Sequence, residues 1–188
     1  MKGPTESGLG AAIAVLDDVD DNGYAEVVVA DPLADAIDGT PHGGVVYVVD
    51  WADFTDGAMI ADKKMFSLQA DTGARFLRVN RRMGDHDRNG KADLSVASPW
   101  NYDVYTAASG LFLSGGDGSV RVFSDAAVAA GGSGKWADAA VEFAEPLDGS
   151  TFGLAYDVGR LDAGESTDIA IGAPLYGYGK LFLFISEM

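Results

Sequence analysis

The sequence predicts an all-β protein assembled from three copies of one antiparallel, four-stranded unit, and three observations predict it. First, a short apolar strand that opens on an acid and closes on a proline recurs three times. The copies read Glu26-Val-Val-Val-Ala-Asp-Pro32, Asp93-Leu-Ser-Val-Ala-Ser-Pro99 and Asp168-Ile-Ala-Ile-Gly-Ala-Pro174. Proline closes each because it cannot donate to a sheet ladder. Second, β-branched and aromatic residues dominate the apolar runs, with Gly and Asp between them. Third, the prolines recur at intervals of 67 and then 75 residues, a period that suits a four-stranded sheet with its loops better than a helical repeat.

The elements follow in the same order in each repeat. A first apolar strand is expected at residues 11–16, 76–83 and 152–158, ahead of an acidic turn. The acid-to-proline strand is the second. After a loop and a glycine comes an alternating third strand, at 44–49, 118–123 and 179–184. A fourth is expected at 64–69 and 139–144, whereas the third repeat stops after its third strand. Residues 110–114 offer an extra strand inside the second repeat. Helix is weakly signalled; only 125–130 is Ala-rich enough, and Gly131-Gly132 ends it. The repeats therefore divide a single region, 1–188, at about 8–70, 71–147 and 148–188. Antiparallel four-stranded units that bury a face only against neighbours describe β-propeller blades.

Composition narrows the function classes. The chain is 47% hydrophobic, enough for a core, and carries a formal net charge of −16. A polyanion of this kind repels nucleic acid and suits cations, salt or an extracellular setting. There is no cysteine, hence no disulfide framework and no thiolate metal site. No apolar run approaches the roughly 20 residues that cross a bilayer. The opening residues Met1 to Thr5 lack the apolar stretch of a signal peptide, so a mature form or an intracellular protein is expected on that ground alone.

The turn before the repeated strand carries the chemistry. It reads Asp18-Val-Asp20-Asp-Asn22-Gly23-Tyr24-Ala-Glu26 in the first repeat and Asp85-His-Asp87-Arg-Asn89-Gly90-Lys91-Ala-Asp93 in the second. Alternate residues offer hard oxygen donors, the glycine permits a sharp turn and the last carboxylate closes the cage. The backbone carbonyl of Tyr24 or Lys91 supplies one further donor. Calcium takes six to eight such oxygens, so two calcium sites are expected. An EF-hand shares the first half of the pattern but needs a Glu at its twelfth position and a helix after it. Here the twelfth residues are Val29 and Val96, inside strand-like runs. Ordinary Asp/Asn/Gly turns would produce one such loop; two near-copies at the same distance from the same strand favour metal. Asp17 and Asp21 flank the first loop while Arg81, Arg82, Arg88 and Lys91 crowd the second, so tighter binding is expected at the first.

In the third repeat the frame persists and the ligands do not. Arg160 stands at the first ligand position, Gly164 replaces the asparagine, and only Asp162 and Asp168 remain in register. Arg160 is expected to pair with Asp162 or Asp168 as a fixed cation in place of the metal.

These repeats resemble the FG-GAP repeats of integrin α-subunit propellers and of related bacterial proteins and lectins. Phe152-Gly153 and Gly172-Ala173-Pro174 match the two name-giving motifs. The first repeat keeps Leu9-Gly10 and Ala30-Asp31-Pro32; the second keeps Ala97-Ser98-Pro99 but has Phe76-Leu77 where Phe-Gly would stand. The resemblance covers nearly the whole chain and implies a propeller whose calcium loops join the first two strands of a blade. It implies structural ions, with partners bound on the opposite face. Such propellers usually have about seven blades, so this chain is read as a piece of a longer protein or a partial ring completed by self-association or other chains.

Catalysis finds no support in the residue pattern. His42 and His86 are the only histidines and join no nucleophile motif; His86, at an even loop position, should point outward. The loops after the prolines carry His42, Trp100, Tyr102, Tyr105, Tyr176 and Tyr178 among Gly, Asp and Asn, a mixture that suits protein or sugar recognition or packing between blades. The reading is a calcium-binding, non-enzymatic adhesion, binding or scaffold module, extracellular or at the cell surface. The alternatives are a lectin-like glycan binder and an accessory propeller region of an extracellular hydrolase.

Overall fold

A computed structural model of the chain describes residues 1–3, 7–35, 44–69, 78–79, 84–99, 118–144, 151–164 and 167–185. The protein is all-β, built on three open, largely antiparallel sheets. The first begins with β1 (Ala12–Leu16), β2 (Glu26–Asp31) and β3 (Val45–Asp50), followed by a short helix α1 (Ile60–Lys63) and β4 (Phe66–Gln69). The second takes β5 (Arg78–Val79), β6 (Leu94–Ser98) and β7 (Ser119–Phe123). A helix α2 (Asp125–Ala129) and β8 (Gly132–Lys135) intervene before its last strand, β9 (Val141–Ala144). The third is β10 (Ala155–Gly159), β11 (Asp168–Ala173) and β12 (Lys180–Phe184). The expected second, third and fourth strands are thus present within a residue or two of their predicted bounds. Of the first strand expected at 76–83, only Arg78 and Val79 are described as strand; the candidate strand at 110–114 lies outside the described residues.

One pairing departs from the expected plan. β8 leaves the second repeat and joins the first sheet, parallel to β4, with Phe66 opposite Gly132 and Gln69 opposite Lys135. The Ser67 and Ser133 hydroxyls meet at 3.0 Å, and the Gly132 N–H donates to the Met65 carbonyl. A fifth strand therefore ties the first two repeats together through backbone bonds.

Successive side chains point to opposite faces, and the central strands β2, β3 and β6 are buried on both, whereas β1 alternates between buried and exposed. On one face of the first sheet Leu16, Val28, Val46, Val48 and Leu68 pack against Leu94, Val96 and Phe123 of the second. On its other face Val29, Val45, Tyr47 and Val49 close over Ile60. Ala97 and Val120 of the second sheet meet Phe152, Ile169 and Ile171 of the third. The alanines that precede or lie near each proline, Ala30, Ala97 and Ala173, are all fully buried.

The Phe-Gly pair of the third repeat has a physical account. Phe152 is fully buried, with its ring edge-on to Phe182 at 5.3 Å and to Phe184 at 6.4 Å. Gly153 turns at φ 86°, and a Cβ there would stand 3.0 Å from Val120 Cγ2 and 3.3 Å from the Ser119 carbonyl. Only glycine combines that left-handed turn with so close an approach to the second sheet. The outermost strands stay uncovered: Ile13 and Val15 of β1 and Leu181 and Leu183 of β12 are more than half exposed. Among the described residues no helix is long and apolar enough to cross a membrane.

Candidate metal centres

The β1–β2 loop and the loop that leads into β6 share the same set of bonds within the turn. In the first, the Asp18 carboxylate accepts from the Asn22 and Gly23 N–H groups at 2.9 and 2.7 Å. Asp20 accepts from the Asn22 N–H at 3.2 Å, and Asn22 Oδ1 accepts from the Tyr24 N–H at 2.8 Å. Glu26, the first residue of β2, accepts from the Val19 N–H at 3.0 Å. In the second, Asp85 accepts from Asn89 and Gly90 at 3.1 and 2.9 Å, Asp87 from Asn89 at 3.1 Å, and Asn89 Oδ1 from Lys91 at 2.8 Å. Asp93 accepts from the His86 N–H at 2.7 Å. The sharp turn falls at Gly23 and Gly90, with φ 91° and 93°, a backbone that side chains rarely adopt.

These bonds collect acids. Asp18, Asp20 and Glu26 each place a carboxylate oxygen within 4.8 Å of the others, and so do Asp85, Asp87 and Asp93. Both clusters can hold a metal ion. The two closing carboxylates, Glu26 and Asp93, are 0% and 1% exposed. Burial pushes both above their ordinary range, against the lowering by their backbone N–H donors; Asp18 and Asp20 add to the rise at Glu26, and Asp87 at Asp93. Glu26 Oε1 is buried without a hydrogen-bond partner. A buried, unpaired carboxylate oxygen is costly, and the neighbouring acids raise that cost further. The donors are all oxygens, which fits a hard cation. The twelfth residues Val29 and Val96 lie buried in β2 and β6, so no EF-hand helix follows either loop.

Two acids that sequence reading passed over reach these loops. Asn22 Nδ2 donates to Asp50, at the end of β3, and Asn89 Nδ2 donates to Asp125 at 2.7 Å. Asp125 also gives its backbone N–H to Asp93 at 3.0 Å. The available signal was an acid within two residues of the end of the expected third strand, Asp50 after Val49 and Asp125 after Phe123-Ser124.

The loops also hold one another. Lys91 does not crowd its own loop: its ammonium crosses to the first, donating to Asp21 at 2.8 Å and to the Val19 carbonyl at 3.1 Å. Asp17 accepts from the Ala92 N–H at 3.1 Å. The acids Asp17 and Asp21, expected to favour the first loop, are therefore bonded to the second, and Lys91, counted against the second, serves the first; Arg81 and Arg82 lie outside the described residues. His86 corrects another expectation. Its ring turns inward, with Nε2 buried, facing an open cavity of about 500 Å3 shared with Val141, Phe143, Ile169 and Leu183. Burial lowers its pKa, against the raising effect of Asp93, Asp85 and Asp87.

The third loop keeps the frame in part: Asp168, 1% exposed, accepts from the Leu161 N–H at 2.6 Å, and Asp162 from Gly164 at 2.7 Å. Among the described residues Arg160 forms no ion pair with Asp162 or Asp168. The Asp168 carboxylate is turned into the fold, while Arg160 is exposed and lines an open cavity of about 390 Å3 with Asp17, Asp85 and Lys91, where the three loops meet. Of the aromatic candidates, Tyr176 packs partly into the core between the second and third sheets with the Lys180 ammonium 4.0 Å from its ring centre. Tyr178 is fully exposed. His42, Trp100, Tyr102 and Tyr105 lie outside the described residues. No protein-family model matches the chain, and no curated protein matches it.

Proposed function

We propose that the chain is a calcium-binding, non-enzymatic module for adhesion, binding or scaffolding, made of FG-GAP-type propeller blades, with ions that stabilise rather than react. One observation carries the reading: two loops on equivalent strand pairs make the same bonds around the same donor types, and the first closes on buried Glu26 with an unpaired Oε1. A divalent cation is the partner that relieves it. Asp18, Asp20, Asn22 and Glu26 would hold one ion with the Tyr24 carbonyl; Asp85, Asp87, Asn89 and Asp93 would hold the other with the Lys91 carbonyl. An ion there neutralises the acids and fixes the loop between the first two strands. Calcium is favoured over magnesium because a loop of many flexible oxygens suits its larger, more variable shell.

In this reading the exposed apolar faces of β1 and β12 are where further blades pack, from this chain or another, and a protein or glycan ligand binds away from the ions. An extracellular or cell-surface setting suits it, since calcium there fills even weak modules. Calorimetric titration of chelator-treated protein tests the assignment. Two calcium ions per chain are expected, with binding retained in a large excess of magnesium. Absence of binding, or equal displacement by magnesium, contradicts it.

A further inference from the structure

We propose that Asp50 and Asp125 are positioning residues, fixing the side-chain amides of Asn22 and Asn89 so that each turns its oxygen, Oδ1, toward the cation. An asparagine amide has a donor end and an acceptor end of nearly equal shape. An ionised carboxylate can only accept, so a carboxylate against the amide selects its NH2 end. Asp50 takes Asn22 Nδ2 on one oxygen, and its other oxygen accepts from the Ala52 N–H at 2.7 Å, which holds the carboxylate in place. The same Nδ2 also donates to Asp20 at 3.2 Å, as Asn89 Nδ2 does to Asp87, so Asp50 acts together with a loop carboxylate in leaving Asn22 Oδ1 on the Tyr24 N–H. Asp125 does the same to Asn89, whose Oδ1 meets the Lys91 N–H.

Two further observations support the assignment. The loop that Asp50 borders contains Glu26, fully buried with Oε1 unpaired, and supplying an oxygen within 4.8 Å of those of Asp18 and Asp20. That is a group waiting for a cation, independent of the amide bonds. The third repeat provides the internal control. Asp50 stands opposite Glu26 in the β2–β3 register. In the second sheet Leu94 faces Phe123, so Ser124 holds that place and Asp125 lies one residue on; in the third Ile169 faces Phe184, so Ile185 holds it and Ser186 follows in sequence, neither an acid. Gly164 stands where the asparagine would be. The amide and its acid are lost together, as expected if one serves the other.

The inference rests on the cation reading of the loops, and its test separates the two. Full-length chain carrying Asp87→Ala, to silence the second loop, is titrated with calcium at about 0.15 M salt to screen bulk charge. Asp50→Ala should weaken binding roughly 10- to 100-fold, as loss of an outer partner of a metal ligand does. In an Asn22→Asp background the ligand is a symmetric carboxylate with no amide to orient, and Asp50→Ala should change affinity by no more than about twofold. Asp50→Asn, which keeps an acceptor for Ala52, serves the same comparison if the alanine variant does not fold. Equal losses in both backgrounds would make Asp50 a ligand and overturn the proposal; so would no loss in either. If the Asp87→Ala chain takes up no calcium with its first loop intact, the cation reading fails and this inference falls with it.

Discussion

Saturating calcium should raise the melting temperature of the chelator-treated chain by roughly 10–20 °C. A site filled to 100 times its dissociation constant contributes about 2.7 kcal/mol, and the chain has two such clusters. In chains of this length each kcal/mol moves the melting point by about 2–4 °C. Asp18→Ala and Asp85→Ala should each abolish about half of the shift, since the loops are alike and their flanking charges are shared through Lys91 and Asp17. Each variant should also melt lower in chelator, because the Gly23 or Gly90 N–H loses its acceptor while the Asn22 or Asn89 N–H keeps only its bond to Asp20 or Asp87. Differential scanning calorimetry with and without chelator reads all of this. An unchanged wild-type melting point would remove the stabilising role of the ions.

Phe152→Ala should cost about 3–5 kcal/mol, equally with and without calcium. Phe152 is fully buried where the third sheet meets Ala97 and Val120 of the second, and its ring lies against Phe182 and Phe184. Truncation opens a cavity between the second and third sheets, where a Cβ at the neighbouring Gly153 would already stand 3.0 Å from Val120 Cγ2. Denaturant unfolding of wild type and variant measures the loss. Phe152→Leu should lose less, since more of the volume is kept. A loss below about 1 kcal/mol for the alanine variant would mean that Phe152 does not join the second and third sheets as described.

Local patterning made most of the fold legible. The runs Val27–Val28–Val29, Val45–Val46 and Val120–Arg121–Val122 alternate or fill a buried strand; Pro32 closes the first strand, and Gly44 and Gly118 precede the other two. Turn chemistry is equally local, so the cages at Asp18–Glu26 and Asp85–Asp93 could be read from spacing. Contacts between distant residues could not. β8 is Gly-Ser-Gly-Lys, with no side-chain alternation to show that it pairs with β4. Asp50 and Asp125 reach the loops only because β3 and β7 lie beside β2 and β6. The same holds for Lys91, which looks like a charge of its own loop in sequence and serves the neighbouring one in space. Arg160 looks in sequence like a partner for Asp162 or Asp168, but these carboxylates accept from the Gly164 and Leu161 N–H groups instead.

Anomalous diffraction from crystals of the chain soaked in a lanthanide tests the central claim most directly, because it locates each ion rather than inferring it from stability. One ion should lie among Asp18, Asp20, Asn22 and Glu26, and one among Asp85, Asp87, Asn89 and Asp93. The third loop, with Arg160 and Gly164 at ligand positions, should hold none. Empty first and second loops, or an ion seated between Asp162 and Asp168, would contradict the account.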